Sequence, residues 1–290
     1  MTTNVLPENA EAQRAWDGVL FDRFVKYRHL IVSGLAAHGA AAIRTFPPHR
    51  GDRVLDVGCG FGDTALQLAE LVGPSGSVVG VDVAPRFIEA AQTDAKAYGD
   101  AKTRFEVMDV QASRFDETFD YVFSRFGTMF FASPVAALRN VRAALPPGGR
   151  LCMVVWRRKL DNPWMHRAEE VVTPLIEVPE ETDEARCGPG PFSMANADTV
   201  SQILLSSGFD EIDFRRRDLP YRLGATLAEA IEFNLALGPA AEAVRLAGAE
   251  GEAMRGHLSE LLRNALAEFE TPDGVIANSS VWIVTARAAD

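Results

Sequence analysis

Three glycines in five residues, Gly58, Gly60 and Gly62, follow the apolar run RVLDV (53–57). Glycine has no Cβ, so such a loop lets backbone approach a ligand closely. The spacing is G-x-G-x-G, whereas a dinucleotide fingerprint requires G-x-G-x-x-G. Asp63 comes next, at the start of an expected helix. A pyrophosphate would lie there, and a carboxylate would repel it. No Lys-Ser/Thr pair follows the glycines, which excludes a P-loop. Two further acids stand at matching places: Asp82 ends SVVGVD (77–82), and Asp109 follows TRFEVM (103–108). A carboxylate at the first place can accept from both hydroxyls of a ribose; a solvated strand-end acid is the plain alternative. One at the second can accept from an exocyclic amine such as adenine's; a loop acid or helix cap is the alternative. Two more side chains could move a proton or hold an acidic substrate. His166 closes DNPWMH shortly after a strand, and Arg125 follows FDYVFS. A surface histidine and a structural ion pair are their alternatives.

An alternation of strands and helices must position these residues. RVLDV, 77–82, 103–108, 119–124 and 150–156 read as apolar strands. Residues 64–72, 85–98 and 134–145 read as helices between them, the second with Pro85 in its first turn and Gly99 after its end. This pattern implies a parallel sheet covered by helices on both faces, with right-handed crossovers. Ligands of such sheets bind beyond the C-terminal ends of the strands. After Trp156 the alternation breaks, and residues 157–195, rich in Pro, Gly and acids, read as an excursion over that edge. A helix at 197–207, a sixth strand within 210–223, a largely helical insertion at 226–270 and a last strand at 280–287 follow. Upstream, Trp16, Leu20, Phe24, Tyr27, Ile31 and Leu35 recur every three or four residues. They predict one amphipathic helix, with a second short one over 40–46 that stops at Pro47-Pro48. Phe126, Met129, Phe130 and Phe131, with Trp164 and Phe192 in the excursion, suggest a covered apolar pocket. The N-terminal helix is its lid, or simply packs on the sheet. The chain reads as one domain: a lid (1–49), a ligand-binding core (50–156), the excursion and the 226–270 insertion.

Composition narrows the function. The 290 residues are 47% hydrophobic and 24% charged, as in ordinary globular domains. A net charge of −11 disfavours a nucleic-acid partner. No segment reads as a targeting signal or membrane span. Cys59, Cys152 and Cys187 are far apart and form no C-x-x-C pair. They read as free thiols of a cytoplasmic protein, with no metal site. The expected partner is a small molecule, and the chain a monomer or homodimer, the 226–270 helices serving as cap or dimer contact.

The strand-D-V-G-C-G-x-G motif, with one acid ending the second strand and another after the third, resembles the class I S-adenosylmethionine-dependent methyltransferases. The likeness runs over about residues 50–156. FDYVFSRFGTMFFASPVAALRNVRAALPPGGRLCMVVW looks like that family's fourth strand, next helix and fifth strand. The nearest branch acts on small molecules and includes the ubiquinone and menaquinone methyltransferases. The resemblance implies an α/β fold with a doubly wound, Rossmann-like sheet of seven strands, mostly parallel, the antiparallel last strand being SVWIVTAR. It implies S-adenosylmethionine as cofactor and S-adenosylhomocysteine as product. Asp56 and the loop of Gly58, Cys59, Gly60 and Gly62 would border the methionine part. Asp82 would hold the ribose, Val83 would pack on adenine, and Asp109, with Val110 beside it, would hold the adenine amine. Ser124 and Arg125 would face the methionine amino group and the methyl. Methyl transfer needs alignment more than a catalytic group. His166 as base and Arg125 as anchor are the candidates, with Tyr27, Phe126, Met129, Phe130, Trp164 and Phe192 forming the substrate pocket. The expected acceptor is a small, partly apolar metabolite. A cofactor-binding sensor or inactive partner is the alternative; an NAD oxidoreductase is opposed by Asp63 and the glycine spacing.

Overall fold

Central strands buried on both faces alternate with helices that carry one apolar stripe, and the two build a single wound sheet. A computed structural model describes residues 7–100, 102–178, 186 and 188–290. The chain opens with α1 (Pro7–Ala15), a π-helical turn (Trp16–Leu20), α2 (Phe21–Lys26) and α3 (Arg28–Thr45). The one long helix expected from the apolar stripe is therefore broken twice. Gly18 leaves helical geometry at φ −105°, ψ −115°, and Tyr27 turns at φ −105°, ψ 20°. Glycine and a π-turn are ordinary causes of such kinks. The short helix expected over 40–46 is the end of α3, because nothing before Pro47 interrupts its alanine-rich stretch.

The core then runs β1 (Arg53–Val57), α4 (Asp63–Val72), β2 (Ser77–Asp82), α5 (Pro85–Tyr98), β3 (Thr103–Val107), β4 (Tyr121–Arg125), α6 (Pro134–Ala143) and β5 (Arg150–Trp156). Next come α7 (Pro163–Val172), α8 (Ala197–Ser206) and β6 (Phe209–Gly224). The chain ends with α9 (Leu227–Asn234), α10 (Pro239–Leu246), α11 (Gly248–Leu266), the short β7 (Glu270–Thr271) and β8 (Gly274–Ala288). The sheet order is β3-β2-β1-β4-β5-β8-β6, with β7 pairing on β8. The first five strands are parallel; β8 runs antiparallel to β5 and β6. The order reverses between β1 and β4, the kind of switch point that opens a crevice beyond the strand ends. Register sets that edge: Asp56 lies beside Gly80 of β2 and Phe123 of β4.

Over this edge stands a helical cap with its own core, where Val172 of α7 meets Leu235, Val244 of α10, and Leu258 and Leu262 of α11. The 157–195 excursion thus contains a helix, α7, that belongs to the cap. Among the described residues, no helix is long and apolar enough to cross a membrane, and no cluster of His, Cys, Asp or Glu could hold a metal. Cys59 and Cys152 are buried free thiols; Cys187 lies outside the described residues.

Candidate active site

The glycine loop is fixed by backbone contact. A Cβ on Gly58 would stand 2.9 Å from the Gly127 Cα, so the loops after β1 and β4 touch with no room for a side chain. Gly58 and Cys59 donate their N–H groups to the Val81 carbonyl at 2.9 and 3.0 Å. Gly60 differs: its φ is +53°, and a Cβ there would meet nothing within 4 Å. That open space lies against the cleft, where a ligand can approach the bare chain. A side chain at Gly62 would instead strike Phe105 at 2.7 Å, so this third glycine serves packing and lies off the cleft wall.

Charge is concentrated at the same place. Asp82 Oδ2 accepts the Gly60 N–H and Oδ1 the Ala84 N–H, both at 3.0 Å. Burial nevertheless raises its pKa against those hydrogen bonds. Asp56 is 1% exposed, with Oδ2 lacking a partner. Burial pushes its pKa up to about 7, Arg125 opposing and Asp63 and Asp82 adding to the rise. Burial and these acids also push the Cys59 thiol far above its ordinary value, so it is no nucleophile. Arg125 Nη2 donates to Asp63 Oδ2 at 2.8 Å. Arg125 thus answers Asp63 directly and Asp56 at longer range, while Asp82 is held by backbone amides, so acids outnumber the one cation here.

A single cavity of about 800 Å³ joins this cluster to the cap. On one side it is lined by Gly58, Cys59, Gly60, Asp63, Asp82, Val83, Asp109, Val110 and Arg125. On the other it is lined by Trp16, Phe24, Phe126, Met129, Phe130, Trp156, Trp164, Phe192, Tyr221 and Phe233. The rings of Trp164, Tyr221 and Phe233 lie within 19–23° of parallel, at centroid separations of 5.1–6.3 Å. Phe126 stands between the two sides, next to Gly127, with its ring 4.4 Å from Trp156. Its φ of 60° is a left-handed conformation rare for an aromatic residue, held by its N–H on the Val154 carbonyl at 2.9 Å. Such strain, roughly 1–3 kcal/mol, clusters at functional sites.

Most of the residues singled out from sequence therefore meet in one cavity, and four besides Gly62 do not line it. Asp56 is enclosed behind the loop. Ser124 is 1% exposed and its hydroxyl is taken by the Val57 carbonyl at 2.7 Å, so it ties β4 to β1. Tyr27 packs edge-on against Phe233 at 5.6 Å, one layer behind the wall. His166 points away and sits 3.4 Å from Glu170. On α7 the side chains of Trp164 and Met165 take the cavity face, and the next residue turns about 100° from it. Sequence reading missed Asn9, Trp156, Lys159, Glu169, Tyr221 and Phe233. Only the aromatic type of three of them was a signal, since no local spacing links residues 156, 221 and 233.

Several known proteins are similar to this chain. Residues 54–149 match the family model described as a methyltransferase domain. The chain is 35% identical over 126 residues to aklanonic acid methyltransferase DauC of Streptomyces sp. (strain C5), covering 43% of this chain and 57% of that protein. It is 32% identical over 108 residues to the demethylmenaquinone methyltransferase of Geobacillus kaustophilus, 37% of this chain and 46% of that one. The chain thus spans about half the length of the curated relatives it matches. In fold it is similar to the YcgJ protein of Bacillus subtilis, with TM-score 0.55, 17% identity, and 89% and 99% of the two chains covered. It is also similar to the phosphoethanolamine N-methyltransferase 2 of Haemonchus contortus solved with S-adenosyl-L-methionine, with TM-score 0.51, 18% identity, and 87% and 52% covered. Residues 54–149, set in this sheet, match the methyltransferase domain family.

Proposed function

We propose that the protein transfers a methyl group from S-adenosylmethionine to a small, partly apolar molecule held in the aromatic side of the cavity. One observation carries this reading: the glycine loop with its acids and the aromatic cap walls open into the same cavity. The residues fit the cofactor. Gly60 leaves a gap where a Cβ would project, and the Asp63 and Asp82 carboxylates on the cavity wall, with the single cation Arg125 beside them, favour a molecule bearing a sulfonium and an ammonium. Asp82 would hold the ribose, Val83 and Val110 would flank adenine, Asp109 would accept from its amine, and the Gly58–Gly60 backbone would border the methionine end. Bound there, S-adenosylmethionine supplies a methyl already activated on sulfur for in-line displacement.

The protein's part is alignment and exclusion of water. Phe126 and Met129 would shape the junction, and Trp156, Trp164 and Tyr221 would hold the acceptor. Holding two reactants in line can remove up to roughly 7–11 kcal/mol of a barrier. No histidine lines the cavity among the described residues, so the acceptor is one that needs no histidine base. Calorimetric titration with S-adenosylmethionine, S-adenosylhomocysteine and NAD tests the cofactor. Micromolar binding of the first two and none of NAD is expected; NAD binding alone would overturn the reading. A methyl-transfer assay with aklanonic acid and demethylmenaquinone, the acceptors named for two relatives, then tests turnover.

A further inference from the structure

Helix α1 reaches into the nucleoside end of the cleft. Asn9 is 3% exposed and lines the cavity. Its Nδ2 donates to Asp109 Oδ2 at 2.7 Å, while Asp109 Oδ1 accepts the Gln111 N–H at 3.0 Å. One turn on, Gln13 Nε2 donates to the Val83 carbonyl at 2.9 Å. One turn further, Asp17 Oδ1 accepts the Arg86 N–H at 2.8 Å, in the first turn of α5. Residues 9, 13 and 17 share one helical face, and that face bridges both rims of the slot given above to adenine.

The attachments differ along this segment. Arg86 grips the chain from Asp17 to Asp22: its guanidinium bonds the Asp17 and Gly18 carbonyls at 3.2 and 3.4 Å, pairs with Asp22 at 2.7 Å and covers the Phe21 ring. Gly18 itself is non-helical, and a Cβ there would meet nothing within 4 Å. On the N-terminal side, α1 presents amides to the cleft. A carboxamide N–H and the amine of adenine are the same kind of donor, and both address the Asp109 carboxylate.

We propose that Asn9 is a specificity-determining residue of the donor site that competes with the cofactor's adenine for Asp109, α1 lifting about Gly18 as the nucleoside takes its place. This inference rests on the donor assignment made under the proposed function. A site competent only when α1 is lifted shows an affinity reduced by the lifted fraction, and removing the latch restores it. The probes are S-adenosylhomocysteine and adenosine, titrated calorimetrically into the full chain. Asn9→Ala is expected to bind both about fivefold more tightly than wild type, because the gain belongs to the nucleoside end. Asn9→Asp, which sets a like charge against Asp109, is expected to do the same, and serves if Asn9→Ala folds poorly. Unchanged or weaker binding by folded variants overturns the competition and makes Asn9 a bystander or a part of the closed site. Failure of wild type and variants alike to bind either probe overturns the donor assignment itself, and the competition with it.

Discussion

The two sides of the cavity are built in opposite ways. The donor side comes from a few short stretches at the ends of neighbouring parallel strands, residues 57–61 with 63, 81–83 and 108–111, with Arg125 closing it. Its glycine loop is held through backbone groups, by Gly58 against Gly127 and by the Gly60 N–H on the Asp82 carboxylate, with the Arg125–Asp63 pair beside it. The acceptor side is gathered from residues between 16 and 246, and its contacts are between side chains. A backbone-built site tolerates little change in sequence, whereas a wall of packed rings can be recut with the cap.

The largest test of this contrast is Trp164→Ala. Trp164 is 4% exposed, stacked on Tyr221 and Phe233. Its removal is expected to lower unfolding stability by about 3–5 kcal/mol. The affinity of the variant for S-adenosylhomocysteine should stay within about twofold. Chemical denaturation and calorimetry measure the two quantities; a large loss of cofactor affinity would break the division between the sides.

Asp82→Ala is the complementary test. The carboxylate organises the Gly60 and Ala84 amides as well as facing the cleft. S-adenosylhomocysteine affinity should fall at least tenfold, about 1.4 kcal/mol. Unchanged affinity would remove Asp82 from the donor side altogether.

How far the chain could be read without coordinates follows the same division. The alternation of strands and helices from 53 to 156, the glycine loop and the acids at 82 and 109 were legible because each is local: a strand, its turn and the next helix lie within a short window. The break at Gly18 was not, since the apolar stripe from Trp16 to Leu35 keeps helical spacing across it. Nor was the hold of Asn9 on Asp109, which spans 100 residues. Ser124 and His166 stood at plausible positions in the chain. The direction of a side chain at a strand end or on a helix face depends on partners, here the Val57 carbonyl and Glu170, that spacing does not reveal.

Behind the glycine loop, a buried acid makes stability depend on pH. The Asp56 pKa is raised by burial to about 7 from an ordinary value of 3.8. Below the unfolded value both states carry the proton, and the stabilising preference for the neutral folded form is fully present. As pH rises toward 7 the unfolded state ionises first, and that contribution is lost. Asp56→Asn, neutral throughout, should therefore gain stability relative to wild type by up to roughly 1 kcal/mol per pH unit between pH 4 and 7. Melting curves of both proteins across that range measure the slope; parallel curves would mean that Asp56 ionises normally.

His166→Ala should do least. The ring lies off the cavity beside Glu170, partly exposed on α7. An exposed pair of this kind contributes about 0–1 kcal/mol at most. Cofactor affinity should not move, and the rate of methyl transfer to any acceptor found should stay within about twofold of wild type. The neighbouring Trp164→Phe variant, which keeps an aromatic wall but removes the indole N–H, gives the contrast on the same helix. It should alter acceptor KM while His166→Ala does not. A hundredfold fall in kcat for His166→Ala with unchanged KM would mean that α7 rotates its next residue into the cavity during turnover. The acceptor side would then hold a base that its resting geometry turns away.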